Sequence, residues 1–176
     1  MIPQTDIRYN YQYAKRLYTG EKPFDDAWVD ILKYGSDFEE VFEAIRDRVL
    51  AVIPAVTGYE WGEHSDPFIP VYIVDSDESL SQPMTIVASD DTTRMLVDTT
   101  TQLIDQNILY GFKKPAQRDA AVQKMTTAVL QRLGIDALDA LQDIHAFYVE
   151  RYGESYQVPD WDLSTQTARS YLESRS

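Results

Sequence analysis

The sequence predicts an α+β fold: a mostly helical single domain built on a small β-sheet. Three observations carry that prediction. At 176 residues the chain suits one domain and hardly two. A chain of that size buries roughly 70% of its unfolded surface, so it needs no disulfide or metal to hold a core. Apolar residues recur at helical spacing before residue 58 and again after residue 92. Between them lie two short runs rich in β-branched and aromatic residues, 68–74 and 83–89, bounded by turn-forming and acidic residues. Helices, then strands, then helices is the order of an α+β domain spanning 1–176.

Residues 1–22 read as an N-terminal arm or helix. Arg8, Lys15, Arg16 and Lys22 alternate there with Tyr9, Tyr11, Tyr13 and Tyr18. Aromatics among bases can stack on single-stranded nucleic acid, but tyrosines packed on the domain suit an acidic chain better. Next, Phe24, Trp28, Ile31 and Leu32 lie at helical spacing, with Asp25 and Asp26 in the first turn, where the positive helix end favours acids. A following helix is expected to start at a Ser36 or Asp37 cap and to carry the stripe Phe38, Val41, Phe42, Ile45, Val49 and Val52. Pro54 and Gly58 end it.

Residues 68–74 (FIPVYIV) read as a buried strand. Residues 83–89 (PMTIVAS) read as a second, with Pro83 tolerated at its start. The acidic, serine-rich stretch 75–82 is the loop between them. Three helices follow. Met95, Leu96, Leu103, Ile104 and Ile108 frame the first, which stops near Gly111. Val122, Met125, Val129 and Leu133 stripe the second, entered at Pro115 and closed by Gly134. Leu138, Leu141, Ile144, His145 and Tyr148 stripe the third, closed by Gly153, with His145 on the apolar face. The tail, 157–176, adds a short helix from Asp160 or Ser164, anchored by Leu163 and Tyr171.

Composition excludes several chemistries. Without cysteine there is no thiolate zinc site, iron–sulfur cluster or cysteine nucleophile. Two histidines, His64 and His145, leave most metal and acid–base templates unfilled. No glycine-rich phosphate loop, nucleophile elbow or dinucleotide fingerprint is present. No cofactor and no metal are expected. Asp75-x-Asp77-x-Ser79 begins like a calcium loop, but Leu80 and Ile86 stand where that loop needs glycine and glutamate. A net charge of −13 repels phosphate backbones, so direct nucleic-acid binding is not expected. No apolar run reaches membrane-spanning length, and the chain reads as soluble and cytoplasmic.

Two features remain. From residue 49 to residue 93 there is no Lys or Arg, while Glu60, Glu63, Asp66, Asp75, Asp77, Glu78, Asp90 and Asp91 all fall inside. These eight acids form a candidate docking face for a basic partner, or a solvated strand-and-loop surface. The second feature is a local inconsistency. Thr99, Thr100 and Thr101 sit in the middle of a helix, each losing roughly 0.5–0.7 kcal/mol of helix propensity relative to alanine. Such breaks mark places where another demand overrides local preference.

A strand, a polar turn and an apolar-framed helix is how zincin metallopeptidases present His-Glu-x-x-His. There two imidazoles at i and i+4 bind zinc and the glutamate activates its water. The stretch from Val56-Thr57-Gly58-Tyr59-Glu60-Trp61 through IPVYIV and SQPMTIV resembles small gluzincin-like peptidases, in which similar text precedes a LIHELIHQN-type helix. The resemblance spans 38–109 and rests on spacing and apolar frame. Aligning it places Thr101-Gln102-Leu103-Ile104-Asp105 over the zinc motif. It implies that Thr101 and Asp105 replace the two histidines and Gln102 replaces the general base. It therefore implies a metallopeptidase fold without catalysis, whose cleft binds a protein or peptide, along the 84–89 strand where active relatives pair substrate as an added strand. The other readings are an ordinary core helix, an acidic inhibitor that mimics nucleic-acid charge on a basic partner and, third, a residual enzyme using Asp105 with a metal other than zinc.

Overall fold

The computed structural model describes residues 1–108 and 111–176. Strand β1 (Gln4–Arg8) opens the chain, followed by helices α1 (Tyr11–Leu17) and α2 (Phe24–Thr57). Strands β2 (Phe68–Val74), β3 (Leu80–Ser81) and β4 (Met84–Val87) come next. Helices α3 (Thr92–Asn107), α4 (Pro115–Arg132), α5 (Leu138–Tyr152) and α6 (Ala168–Glu173) complete the domain. This is the mostly helical α+β domain that the hydrophobic pattern predicts.

The four strands form one sheet in the order β1-β2-β4-β3. β1, β2 and β4 run parallel, with Arg8 beside Tyr72 and Tyr72 beside Thr85; β3 turns back antiparallel on β4 across Gln82-Pro83. Alternation of side chains sends Ile69, Val71, Ile73, Met84 and Ile86 to one face, where α2 and α3 cover them. The other face carries Tyr72 and Thr85. α1 packs there through Tyr13, whose hydroxyl shares a 2.8 Å hydrogen bond with Thr85 and whose ring lies 5.2 Å from that of Tyr72. The tyrosines near the N-terminus thus pack on the domain.

Several local expectations need correction, among them the tail helix, which starts at Ala168 behind a Thr167 cap and not at Asp160 or Ser164. Residues 4–8 form a strand, where the sequence suggested arm or helix. The burial pattern alternates along it, but Gln, Thr, Asp and Arg disguise a strand that packs little apolar surface. The 75–82 loop contains the short strand β3. The two helices expected between 24 and 58 are one helix of 34 residues, about 50 Å long at 1.5 Å per residue. Ser36 and Asp37 lie exposed in its interior, and the stripe Ala27, Ile31, Phe38, Phe42, Val49 and Ile53 runs through without a break. Finally, His145 is exposed. α5 buries only Ala140 and Ile144, while Leu138 is 61% exposed, so its apolar stripe is narrower than expected.

The end of α2 shows how a proline is accommodated. Pro54 lies inside the last turn of the helix. Lacking an N–H, it cannot donate to the carbonyl of Leu50 four residues back. The indole Nε1–H of Trp61, itself buried, donates to that carbonyl at 2.7 Å. Gly58 then closes the helix in the left-handed region (φ 81°), its N–H donating to the Pro54 carbonyl at 2.8 Å. The Leu50 carbonyl is therefore satisfied from outside the helix, and the bond pins the 58–67 connection onto α2. Trp61→Phe should cost about 1–3 kcal/mol in urea unfolding, the penalty for stranding a buried acceptor. Pro54→Ala, which returns a helical donor, should recover part of that loss in the double variant. Additive effects of the two substitutions would refute this account.

Candidate functional site

α3 is capped by Asp91, whose carboxylate accepts from the backbone N–H of Thr93 (3.0 Å) and Arg94 (3.3 Å). Behind this cap the helix enters the core with ten buried residues, including Thr99, Thr100 and Thr101. Each of the three hydroxyls donates to the carbonyl four residues earlier, Met95, Leu96 and Val97 respectively, at 2.8 Å. A threonine can enter the core this way because its hydroxyl shares an acceptor already in the helix, leaving only its methyl group to pack.

The two positions that the resemblance aligns with zinc-binding histidines share the face of α3 turned to α4. Thr101 shares a 3.2 Å hydrogen bond with the hydroxyl of Thr126. Asp105 accepts from Arg118 Nε at 2.6 Å, and the same guanidinium donates through Nη2 to the Asp105 backbone carbonyl at 2.8 Å. Both side chains of the pair are about four-fifths buried (19% and 22% exposed), so solvent and salt screen the bridge less than a surface pair. Gln102 is half-buried and points away from this seam, toward a cleft. Leu109, the last residue of the stretch that carries the resemblance, lies outside the described residues.

That cleft, of about 340 Å³, opens at the carboxyl ends of the parallel strands β2 and β4, where open sheets with parallel strands place their ligands. Thr101 and Gln102 lie on its α3 side, 77–79 and 87–89 on its sheet side, and Phe147 and Tyr148 on its α5 side. The residue that sequence reading missed is Asp98, one turn before Gln102. It is 14% exposed, 3.4 Å from Arg94 Nε, and accepts from the Ser79 hydroxyl at 3.3 Å. Ser79 in turn accepts from the N–H of Val87 at 3.1 Å, so the carboxylate is tied to the mouth of β4 through one hydroxyl. Burial pushes the Asp98 carboxyl above the usual aspartate range, against the opposing pull of Arg94 and of its hydrogen bonds. Burial also raises the Tyr148 phenol, with Asp119 adding to it. An Asp one turn from Arg94 and one turn from Gln102 was the available signal, but i,i+4 acid–base pairs are common on solvated helices.

The eight acids of the candidate docking face are divided. Glu60, Glu63 and Asp66 precede β2, while Asp75, Asp77 and Glu78 follow it, at opposite ends of a strand roughly 20 Å long. Asp90 and Asp91 follow β4, which runs parallel to β2, so they join the second group. Several are also engaged within the domain. Glu63 meets Arg169 at 3.2 Å, Glu78 takes two bonds from Arg151 at 3.0 and 3.1 Å, and Asp77 accepts from Thr19 at 3.0 Å. His64 lies in the connection between α2 and β2 and His145 on α5, and among the described residues no group of three or more His, Asp and Glu is placed to hold a metal ion. No helix among the described residues is long and apolar enough to cross a membrane.

With this geometry in place, comparison with known proteins adds no relative: no family model, no curated protein and no solved structure matches the chain.

The Asp98 environment gives a signed pH dependence. A carboxyl raised in the folded state binds protons more readily there than in the unfolded chain, so it lowers stability as pH rises from its ordinary value through its folded one. Relative to Asp98→Asn, the wild type should therefore lose stability across that interval and hold a constant difference above it. Urea unfolding of both proteins across the acid range measures this. A wild-type advantage that grows with rising pH would contradict the assignment.

Proposed function

We propose that the chain is a non-catalytic, zincin-like domain that holds a peptide or protein segment in the cleft beside α3. The observation that supports it best is the state of the two ligand positions. Thr101 and Asp105 face α4 together, as an i, i+4 pair must, and each is bonded to a side chain of that helix. A hydroxyl that shares a bond with Thr126 and a carboxylate held by Arg118 leave no pair of ligands for a metal, and Gln102 cannot take up a proton at neutral pH. The arrangement of β4, the polar turn 88–91 and α3 agrees with the order of elements that the resemblance requires.

Binding by strand addition to residues 84–87 is not favoured. β2 pairs with one edge of that strand and β3 with the other. The cleft itself supports the binding reading instead. It is walled by the half-buried Tyr148 ring and the 41% exposed Phe147, with Arg94, Ser79 and Gln102 supplying polar contacts. Aromatic walls with a few fixed polar groups suit a short peptide side chain and its backbone. The division of the acids between two ends of the sheet argues against a single charge-mimicking face.

Peptide display selected on the wild-type domain tests the proposal. Selected sequences should bind about tenfold more weakly, a loss of about 1.4 kcal/mol, when Gln102→Arg or Ser89→Arg fills the cleft. The Glu43→Arg control on the outer surface of α2 should leave them unchanged. Binders indifferent to both cleft substitutions would refute it.

A further inference from the structure

The two edges of the sheet are unlike. β3, at one end, is two residues long, and its Ser81 carbonyl accepts from Gln106 of α3. β1, at the other end, is five residues long and pairs with β2 alone. Gln4 donates its N–H to the Pro67 carbonyl at 2.9 Å, so by the alternation of a ladder Asp6 and Arg8 also turn their backbone groups toward β2. Thr5 and Ile7 turn theirs outward, and among the described residues no backbone or side-chain group bonds to them there. Pro3, of the same parity, has no N–H, so the free edge begins at Thr5.

A groove of about 610 Å³ lies beside this edge, lined by Ile2, Thr5 and Phe68 and, from α2, by Arg46 and Asp47. Ile2 is 52% exposed and Phe68 38%. The register places Thr5 beside Ile69, on the α2 side of the sheet. The Thr5 hydroxyl oxygen is buried there without a hydrogen-bond partner. A buried hydroxyl left open beside an unpaired strand edge points to a neighbour that a single chain does not supply.

Charge identifies that neighbour. At a net charge of −13, two copies of the chain repel one another over most of their surface. Around β1 the balance differs. Asp6 and Arg8 on the strand and Arg46 and Asp47 beside it sum to zero, and acid lies next to base in each pair, at 3.0 Å and 3.4 Å. Such a patch is complementary to itself, and a uniformly acidic or basic partner would meet a like charge in either pair. A twofold axis at the edge runs two copies of β1 antiparallel, the same surface on both sides of the joint. Centred on Asp6, it would oppose the two Asp6 carboxylates, which is destabilising. Centred on Ile7, it sets the outward N–H and C=O of Ile7 against those of the second copy and places Asp6 across from Arg8 twice.

We infer that β1 is the interface of a homodimer, in which the four-stranded sheets of two copies join edge to edge, antiparallel about Ile7. The inference is independent of the cleft beside α3.

Sedimentation velocity of the full chain over a range of concentrations tests it. Wild type should pass from monomer to dimer as concentration rises. Asp6→Arg and Arg8→Asp should each weaken the dimer at least about tenfold, because each puts like charges across the joint twice. Both substitutions in one chain restore opposite charges and should recover most of the affinity. Glu150→Arg, exposed on α5, makes the same change in net charge as Asp6→Arg and should leave the dimer unchanged. A monomer at every concentration, a dimer indifferent to both single substitutions, or a double variant no tighter than the single ones would overturn the inference.

Discussion

The structure depends on burying α3, a helix rich in polar side chains, without leaving a polar atom of its threonine run unpaired. A hydroxyl sealed from water without a partner costs about 1–3 kcal/mol. Three in succession would remove a large part of the stability of an ordinary domain, about 5–15 kcal/mol in total. The carbonyls of Met95, Leu96 and Val97 prevent that loss locally. The remaining polar residues of α3 bond outward in several directions. Asp98 reaches the loop before β3, Gln106 donates to the Ser81 carbonyl at 2.5 Å, and Asn107 accepts from Thr57 at 2.5 Å and donates to the Tyr59 carbonyl at 3.2 Å. Asp105 and Thr101 take the α4 side. α3 is therefore tied by side-chain bonds to the sheet, to the end of α2 and to α4, and those bonds fix its rotation about its own axis.

That fixed rotation sets the character of the candidate site. It turns positions 101 and 105 toward α4 and leaves Gln102, Asp98 and Arg94 on the cleft, with Thr101 between the two. The same contacts that orient the helix occupy the positions that the proposed zincin-like reading aligns with zinc ligands. Stability and the proposed loss of catalysis thus have one structural origin. The cleft survives beside them because the carboxyl ends of β2 and β4 diverge into separate loops, and α5 covers only part of the gap with Ile144, Phe147 and Tyr148.

Legibility in the sequence followed apolar contrast. The buried strands β2 and β4, and helices α3 and α4, carry apolar patterns, with clear punctuation at Pro115 and Gly134, and they lie close to where the pattern places them. β1 and β3 were illegible because sheet pairing holds them while their side chains are mostly polar. Ser36 and Asp37 read as a cap because local propensity cannot see that the core stripe continues past Gly35. Within that helix Gly35 is buried, and a β-carbon there would lie 2.5 Å from the Tyr9 ring, so its place is set by a long-range contact. At the site, the threonine run was legible as an anomaly. The partners of Thr101 and Asp105, which are Thr126 and Arg118, were not, since nothing local links residues 25 and 13 positions apart.

We propose that the α3 face toward α4 keeps the spacing of a zincin motif with its ligands replaced. Returning the ligands tests it most directly. Thr101→His, Gln102→Glu and Asp105→His would be combined with Arg118→Ala and Thr126→Ala to clear space. Zinc retained after dialysis would then be compared with a control carrying Ser36→His and Glu40→His on the solvated face of α2. The account predicts stoichiometric zinc in the first protein and none in the control. Equal retention in both proteins, or none in either with the fold intact by near-UV circular dichroism, would contradict it.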